Sequence, residues 1–165
     1  MRYKYITCSL LFLVFYAGQI YADPPENYPF ITYDEGLRQA VKSNKRIFLY
    51  YGRYGCGYCG KVNTETFTNK KLREQLIKNY ILVYLDGESG KRLKLPNGER
   101  ITEMEMGARL NVFSTPVFLY IEPDGKVIFR APGYKTVQDF LDFDRYIQGG
   151  YYKQQSINQF LGQKN

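Results

Sequence analysis

The sequence "IFLYYGRYGCGYCGK" at residues 47–61 decides the fold, because it joins a buried strand to a helix through a turn that precedes two cysteines. Residues 47–51 form a continuous apolar and aromatic run, which is typical of a strand buried on both faces in a central parallel sheet. Residues 52–55 are predicted to form an exposed turn, and the pattern then becomes helical. Cys56 and Cys59 therefore fall at a strand-to-helix junction.

Cys56 and Cys59 have the spacing of a thiol–disulfide exchange site. Cys56 is predicted to face the free N–H groups and the positive dipole end of the helix, which favours its thiolate. Cys59 lies one turn along the same face and is expected to be more buried. This asymmetry suits a reaction in which Cys56 attacks a substrate disulfide and Cys59 resolves the mixed disulfide. Gly55 and Gly57 leave the first sulfur accessible to another backbone.

Two other interpretations of the cysteine pair are a metal site and a passive Gly/Tyr-rich loop. A structural zinc site needs four ligands, usually Cys or His. The sequence has no histidine, and its third cysteine is Cys8. Because Cys8 falls in a predicted signal peptide, we expect no metal and no bound cofactor. A passive loop would not explain why both cysteines fall at one strand-to-helix junction.

Residues 1–22 are predicted to be a secretory signal peptide. Arg2 and Lys4 give a positive start, an apolar run follows at residues 10–16, and a small residue ends the segment. The alternative is an uncleaved N-terminal anchor. The segment predicts export to the periplasm, and residues 23–165 are expected to form a single domain. The formal net charge of +7 comes from scattered Lys and Arg residues without a basic stripe, which argues against a nucleic-acid partner.

The rest of the chain alternates between helical and strand patterns. Thr32 with Glu35, and Thr102 with Glu105, each have the form of a capping box. The predicted elements are an extended leader at 23–29, helices at 32–44, 69–79, 103–110, 137–147 and 156–161, strands at 81–86, 117–121 and 126–130, and a polar, basic loop at 87–100. The residues predicted on the buried helix faces are Leu37, Ala40, Val41, Leu72, Leu76, Ile77, Val137, Phe140, Leu141 and Ile147. This order predicts an α/β fold with a central mixed β-sheet flanked by helices on both faces.

These features resemble the thioredoxin family over residues 45–146. The resemblance is carried by a strand, "GCGYCGK", a long helix, a second strand and "FSTPVFLYIEPDGKV". It implies a thioredoxin-like fold with Cys56 and Cys59 as the redox pair. It also implies that Thr115 and Pro116 form a cis-proline loop, which lies against the active-site disulfide and presents backbone groups to a substrate peptide. The alternative for Pro116 is an ordinary proline at the start of a strand.

The signal peptide, the helix at 69–79 and the tail "GGYYKQQS" resemble exported bacterial thioredoxin-like proteins of the SoxW type. The Cys-Gly-Tyr-Cys sequence also resembles that of periplasmic disulfide isomerases, which carry a separate N-terminal dimerisation domain. Residues 23–46 are too few to supply that domain, so a monomer is expected. The resemblance implies disulfide-containing protein substrates. Because NADPH is not expected outside the cytoplasm, it also implies a membrane-embedded thiol-transfer reductant.

The chain departs from ordinary thioredoxins near the cysteines. Gly55 stands where the family has a tryptophan, and Tyr50 stands where it has a buried aspartate. Glu65 could replace that carboxylate through water, or it is a solvated surface acid. No histidine lies between Cys56 and Cys59 to stabilise the thiolate, so a reductase or an isomerase is favoured over an oxidase.

The residues around the cysteines are given separate roles. Tyr50 and Tyr51 are predicted to face opposite sides of the sheet. Tyr58 is predicted to bind apolar substrate side chains, and for Tyr54 this role and simple shielding of the disulfide are alternatives. The predicted substrate-binding residues are Gly57, Tyr58, Thr115 and Pro116. The basic residues Lys91, Arg92 and Lys94 form either a docking site for an acidic partner or a plain solvated loop.

The sequence therefore predicts an exported thiol–disulfide oxidoreductase with Cys56 as nucleophile and Cys59 as resolving thiol. A reductase of protein disulfides is the leading hypothesis. A protein disulfide isomerase and a non-catalytic protein-binding module with a thioredoxin fold are the alternatives.

Overall fold

The computed structural model describes residues 24–163. The predicted signal peptide at residues 1–22 lies outside this range. Within it, no helix is long and apolar enough to cross a membrane. The α-helices are α1 (Tyr33–Ser43), α2 (Gly57–Lys61), α3 (Lys70–Asn79), α4 (Glu103–Arg109), α5 (Val137–Gln148) and α6 (Ile157–Gly162). The strands are β1 (Ile47–Gly52), β2 (Ile81–Asp86), β3 (Arg92–Lys94), β4 (Arg100–Thr102), β5 (Val117–Ile121) and β6 (Val127–Pro132).

Four of the strands form a mixed sheet in the order β2–β1–β5–β6. β1 and β2 run parallel, whereas β5 runs antiparallel to both β1 and β6. β1 is central, and all of its residues are buried, as its apolar sequence predicts. The predicted mixed sheet with helices on both faces is confirmed.

The sheet separates two hydrophobic cores of different composition. The aromatic layer lies under α2, α3 and α5; its largest rings and its two cysteines are Phe48, Tyr50, Phe67, Phe118, Tyr120, Phe140, Cys56 and Cys59. The aliphatic layer lies under α1 and α4; its main members are Leu49, Tyr51, Val83, Leu85, Met106, Leu119 and Ile121. Successive side chains of a strand point to opposite faces. Tyr50 and Tyr51 therefore belong to different layers, as predicted.

The two predicted capping boxes have different outcomes. Thr102 caps α4 as predicted: its hydroxyl accepts a hydrogen bond from the Glu105 N–H, and the Glu105 carboxylate accepts one from the Thr102 N–H. The capping box predicted at Thr32 and Glu35 is wrong. Thr32 is the N-cap of α1, but its hydroxyl donates to the Asp34 carboxylate at 2.7 Å. The Thr32 hydroxyl bonds to the Asp34 carboxylate and forms no capping hydrogen bond with the backbone of α1.

Two segments predicted to be irregular contribute to the core. Tyr28 in the predicted extended leader lies in a turn and is buried in the aromatic layer. Ile31 then forms a parallel bridge with β2. The loop predicted at 87–100 contains β3, which pairs with β4 and buries Leu93 and Ile101 in the aliphatic layer. Strands of three residues are too short to show a periodicity, so the sequence did not reveal them.

The buried helix faces are narrower than predicted. The predicted residues that are fully buried are Ala40, Leu72, Leu76, Phe140 and Ile147. Val41 and Ile77 are exposed, and Leu37, Val137 and Leu141 are only partly buried. Four of these five directly follow a buried residue, namely Leu37, Val41, Ile77 and Leu141. Consecutive helical residues point about 100° apart, so the second of each pair leaves the face that contacts the sheet.

Candidate active site

Cys56 and Cys59 form a disulfide at the carboxyl end of β1. β1 ends at Gly52, and α2 begins at Gly57 with Cys56 as its N-cap. The Cys56 Sγ accepts a hydrogen bond from the Cys59 N–H at 3.2 Å, and the first turn of α2 contains no acidic residue. A thiolate at Cys56 would meet a backbone N–H and the positive end of a helix, both of which lower a thiol pKa.

The two cysteines differ in exposure as predicted. Cys59 is fully buried, whereas Cys56 keeps 6% of its surface exposed. Gly55 adopts a left-handed backbone with φ of +68°, a conformation that favours glycine. At Gly57, an added Cβ would meet no atom within 4 Å, so the surface beside the disulfide is open. Only the exposed Cys56 side of the disulfide can be reached by another polypeptide.

Three chain segments meet at this edge of the sheet. Tyr51 near the end of β1 pairs with Val117 at the start of β5, and so the Thr115–Pro116 segment lies next to the end of β1. The Thr115–Pro116 peptide bond is cis. On the other side of β1, the Gly87 N–H donates to the Gly52 carbonyl at 2.8 Å. The two segments that carry the predicted site residues therefore lie next to each other, whereas the Gly87 segment carries none of them.

Exposed apolar side chains lie at this edge of the sheet. Tyr58 is 65% exposed and Tyr54 is 56% exposed, in agreement with their predicted surface positions. Sequence reasoning missed Phe113 and Met104, which are 82% and 53% exposed. Phe113 had a signal, since it is a large aromatic residue two positions before Thr115. Met104 had none, because only the tertiary fold brings α4 to this edge.

Glu65 lies at the protein surface and does not replace a buried carboxylate. Its side chain accepts a hydrogen bond from the Tyr134 hydroxyl at 2.8 Å and lies 4.0 Å from the Lys61 ammonium. The Lys61 ammonium also lies 4.7 Å from the centre of the Tyr134 ring. Of the two interpretations of Glu65, the surface acid is the correct one.

Tyr50 fills the position of the expected aspartate with a neutral ring. Its side chain is fully buried and packs against the rings of Phe67, Tyr84 and Phe118 at centroid distances of 5.0 to 5.7 Å. Within residues 24–163, its hydroxyl has no hydrogen-bond partner. Burial raises the pKa of Tyr50 well above its ordinary value of 10.0. Tyr50 stays protonated at physiological pH and cannot act as the proton acceptor that a carboxylate would be.

Further concave regions lie at the surface, and residues 24–163 contain no candidate metal site. A cavity of about 730 Å³ is lined by Asn79, Arg145 and Phe160, near the C-terminal ends of α3 and α5 and in α6. A smaller pocket of about 260 Å³ is lined by Tyr51, Thr115 and neighbouring residues, at the carboxyl ends of β1 and β2. Across residues 24–163, no group of three or more His, Cys, Asp or Glu side chains could hold a metal ion.

Comparison with known proteins agrees with this geometry. The family model described as "Thioredoxin-like domain" matches residues 33–148, most of the chain. The chain belongs to the thioredoxin-like family. The thioredoxin-like domain and the Cys56–Cys59 disulfide at the start of α2 together support thiol–disulfide oxidoreductase chemistry.

The thioredoxin-like fold is also found in similar solved structures. A thioredoxin-fold protein from Helicobacter pylori is 25% identical, with a TM-score of 0.63, over 74% of this chain and 80% of that chain. A thioredoxin from Thermus thermophilus is 20% identical, with a TM-score of 0.60, over 73% of this chain and 87% of that chain. Anterior gradient protein 3 of Mus musculus is 30% identical over 70 residues, which span only 42% of this chain and 42% of that protein.

Proposed function

We propose that this thioredoxin-like protein is exported to the periplasm and acts mainly as a reductase of protein disulfides. The observation that carries the proposal is the position of Cys56 as the N-cap of α2, with its sulfur bonded to the Cys59 N–H. The predicted signal peptide at residues 1–22 supports export, and the resemblance to SoxW-type proteins supports the same location. The absence of histidine from the sequence favours a reductase over an oxidase.

The proposed cycle needs only the two thiols. In the reduced protein, the Cys56 thiolate attacks one sulfur of a substrate disulfide; a mixed disulfide forms, and the other substrate sulfur leaves as a thiolate and takes up a proton. Cys59 then loses its proton and attacks the Cys56 sulfur. The Cys56–Cys59 disulfide forms, and the second substrate sulfur leaves as a thiol. Two electrons and two protons have then passed to the substrate.

The return to the dithiol requires two electrons from a thiol donor. We place this donor in the membrane, as a thiol-transfer protein that exchanges its own dithiol for the Cys56–Cys59 disulfide. Cys56 is the sulfur that the donor would attack, because Cys59 is fully buried. The proposed cycle uses no metal and no bound cofactor.

The substrate rim consists of the residues next to Cys56. Tyr58 and Gly57 lie on α2, and Thr115 and Pro116 lie on the neighbouring segment at the start of β5. The open space at Gly57 supports close approach by a substrate backbone. We propose that these four residues orient the substrate cysteine toward the Cys56 sulfur.

Reduction of insulin disulfides tests the proposal. We expect the protein, supplied with dithiothreitol, to accelerate insulin reduction, and Cys56→Ser to lose this activity because the attacking sulfur is gone. Cys59→Ala should accumulate mixed disulfides with substrates through Cys56. A reduction potential near thioredoxin's about −270 mV supports a reductase, and a value well above it supports an isomerase or an oxidase. Failure to reduce insulin, with no trapped partner, would leave only the binding-module alternative.

A further inference from the structure

A cavity of about 730 Å³ lies at the end of the strands opposite the disulfide. Asn79 lines it, two residues before Ile81, and Ile81 pairs with Ile47 at the start of β1. The disulfide instead follows the end of β1. The volume of the cavity is within the usual range of small-molecule sites. The proposed redox cycle uses none of its lining residues, so the cavity is available for a separate role.

Asp144 is a buried carboxylate in the wall of this cavity, and it is only 3% exposed. The Asn79 amide donates to its two oxygens at 3.0 and 2.9 Å, and the Gln75 amide donates to one of them. Within residues 24–163, Asp144 forms no ion pair. Buried carboxylates are usually paired with a cation. The amide groups satisfy lone pairs of Asp144 but leave its negative charge without a counter-charge.

The surroundings of the cavity favour a positively charged ligand. α3 ends at Asn79 and α5 ends at Gln148, and both residues line the cavity. The carbonyl end of a helix carries a negative partial charge, which attracts cations. Arg145 also lines the cavity, but its guanidinium binds the Asp142 carboxylate, which is not part of the lining. The charge of Arg145 is therefore matched, whereas the charge of Asp144 is not.

Two aromatic rings form another part of the wall. Tyr151 and Phe160 both line the cavity, and their ring centres are 4.8 Å apart. A Cβ at Gly149 would lie 2.3 Å from the Tyr151 ring, so the glycine allows the ring its position. Aromatic faces attract cations, and methylated ammonium ions bind to such rings without hydrogen bonds. Asp144 suits the same ligand, because three hydrogen bonds already use most of its acceptor positions.

A second, basic cavity limits the ligand to one positive charge. It has a volume of about 410 Å³ and shares lining residues with the first cavity, among them Asn79. Its charged lining residues are Lys45, Arg46, Lys153 and Glu122. Arg46 is paired with Glu122 at 2.9 Å. Lys45 and Lys153 form no ion pair in the described part of the chain. A polyamine long enough to enter the second cavity would be repelled by these two lysines.

We propose that the first cavity binds a small methylated ammonium ion with a single positive charge, such as the trimethylammonium group of choline. Asp144 supplies the counter-charge, and Tyr151 and Phe160 supply the aromatic faces. The group reaches the cavity either as a free small molecule or as the headgroup of a lipid. The site is separate from the disulfide, and binding involves no redox step.

Choline binding to the full chain tests this inference. Isothermal titration calorimetry at two temperatures and constant ionic strength compares choline with its neutral carbon isostere, in which a tert-butyl group replaces the trimethylammonium group. We expect saturable binding of choline that is about tenfold tighter than binding of the isostere, because only the charged ligand is attracted to Asp144 and to the ring faces. Absence of saturable binding at both temperatures, or equal affinity for the two ligands, overturns the inference.

Two variants assign the binding to this cavity. Tyr151→Leu keeps an apolar side chain but removes the ring, and it should weaken choline binding about fivefold. Phe113→Leu is the matched control at the disulfide edge and should leave the affinity unchanged. Asp144→Asn removes the charge and should weaken binding about tenfold. Thermal unfolding checks that Asp144→Asn folds, and Tyr151→Leu decides if it does not. Wild-type affinity in Tyr151→Leu, or in a folded Asp144→Asn variant, overturns the inference.

The chain's own Lys164 is a competing occupant. It follows Gln163, which lines the cavity, and it lies outside the described residues. Lys164→Gln is therefore titrated with choline alongside wild type. Equal affinity of the two proteins supports the inference, and choline binding that appears only in the variant overturns it.

Two further ligands define the ligand class. Spermidine should bind about tenfold more weakly than choline, and tighter binding of spermidine would overturn the single-charge ligand. Flotation with phosphatidylcholine vesicles distinguishes the two sources of the trimethylammonium group. Flotation that free choline abolishes assigns the lipid headgroup, and choline binding without flotation assigns a free small molecule.

Discussion

The two faces of the sheet are built differently, although both are fully packed. The aromatic layer holds the disulfide and a network of rings, such as Phe118 against Phe140 at 4.8 Å and Phe48 against Tyr120 at 5.3 Å between centroids. The aliphatic layer is composed mainly of Leu, Ile and Val residues, and it is covered by α1, α4 and the β3–β4 hairpin. The redox pair thus lies on the side with the larger and more rigid side chains.

The two layers also differ in where their polar atoms lie and in whether those atoms are hydrogen-bonded. In the aromatic layer, the hydroxyls of Tyr28, Tyr50 and Tyr120 are buried and have no hydrogen-bond partner within residues 24–163. The aliphatic layer instead places its polar contacts at its surface, where Arg109 binds both carboxylate oxygens of Glu99 at 2.7 and 2.8 Å. The aromatic layer contains unpaired hydroxyls among its packed rings. The aliphatic layer has helix caps and ion pairs at its rim.

The largest expected effect on stability is in the aromatic layer. Phe118→Ala should lower the free energy of unfolding by about 3–5 kcal/mol, because it removes a ring that contacts Phe48, Tyr50, Phe67 and Phe140. The neighbouring Leu119→Ala, which faces the aliphatic layer, should cost less, about 2–3 kcal/mol. Urea unfolding of both variants measures the difference. A larger loss for Leu119→Ala would contradict the assignment of the stronger packing to the aromatic layer.

A helix cap tests the rim of the aliphatic layer. Thr102→Ala should cost about 1 kcal/mol in the free energy of unfolding, because both hydrogen bonds of its capping box with Glu105 are lost or weakened. Thr32→Ala is the matched control at the start of α1. Its hydroxyl binds Asp34 instead of the backbone, so the loss should be clearly smaller. Equal losses by chemical denaturation would mean that Thr32 caps α1 after all.

An unpaired hydroxyl can be removed without harm. Tyr50→Phe should leave the free energy of unfolding unchanged or raise it by up to about 1 kcal/mol, since a buried hydroxyl without a partner only costs desolvation. Tyr146 is the control from the same layer, because its hydroxyl donates to the Gln155 carbonyl at 2.6 Å. Tyr146→Phe should lower stability by about 1 kcal/mol. Destabilisation by Tyr50→Phe of the same size would show that its hydroxyl has a partner.

The smallest effect depends on pH and concerns the ion pair at the rim. Hydrogen bonds from Arg109, followed by one from Asn97, lower the pKa of Glu99 from its ordinary 4.5 to about 2. A lowered carboxyl pKa gives stability that is fully present above pH 4.5 and is lost as the pH falls through about 2. Glu99→Gln should therefore be less stable than wild type at neutral pH, and the gap should narrow below pH 4.5. Urea titrations at several pH values measure it; a gap that widens in acid would reverse the assigned sign.

The features that the sequence predicts are those fixed by a few neighbouring residues. The "IFLYY" run, the Cys56–Cys59 junction and the Thr102 capping box are local patterns, and each has the predicted form. The predictions that failed depend on competition or on distant contacts. The Thr32 hydroxyl bonds to the Asp34 carboxylate and so does not cap α1. The pocket of Met104 and Phe113 exists only because α4 packs beside the end of β1. No sequence window contains both sides of that pocket.

The bridge between Ile31 and β2 has a consequence for self-association. The Ile31 N–H donates to the Leu82 carbonyl and the Ile31 carbonyl accepts from the Tyr84 N–H, so hydrogen-bonding groups at the outer side of β2 are already occupied. The opposite outer strand, β6, ends at Pro132 and has a register irregularity opposite Tyr120 and Ile121. Proline and irregular pairing discourage a further strand from adding. Neither side of the sheet offers a regular template for pairing with a second chain, which limits edge-to-edge aggregation of the folded protein.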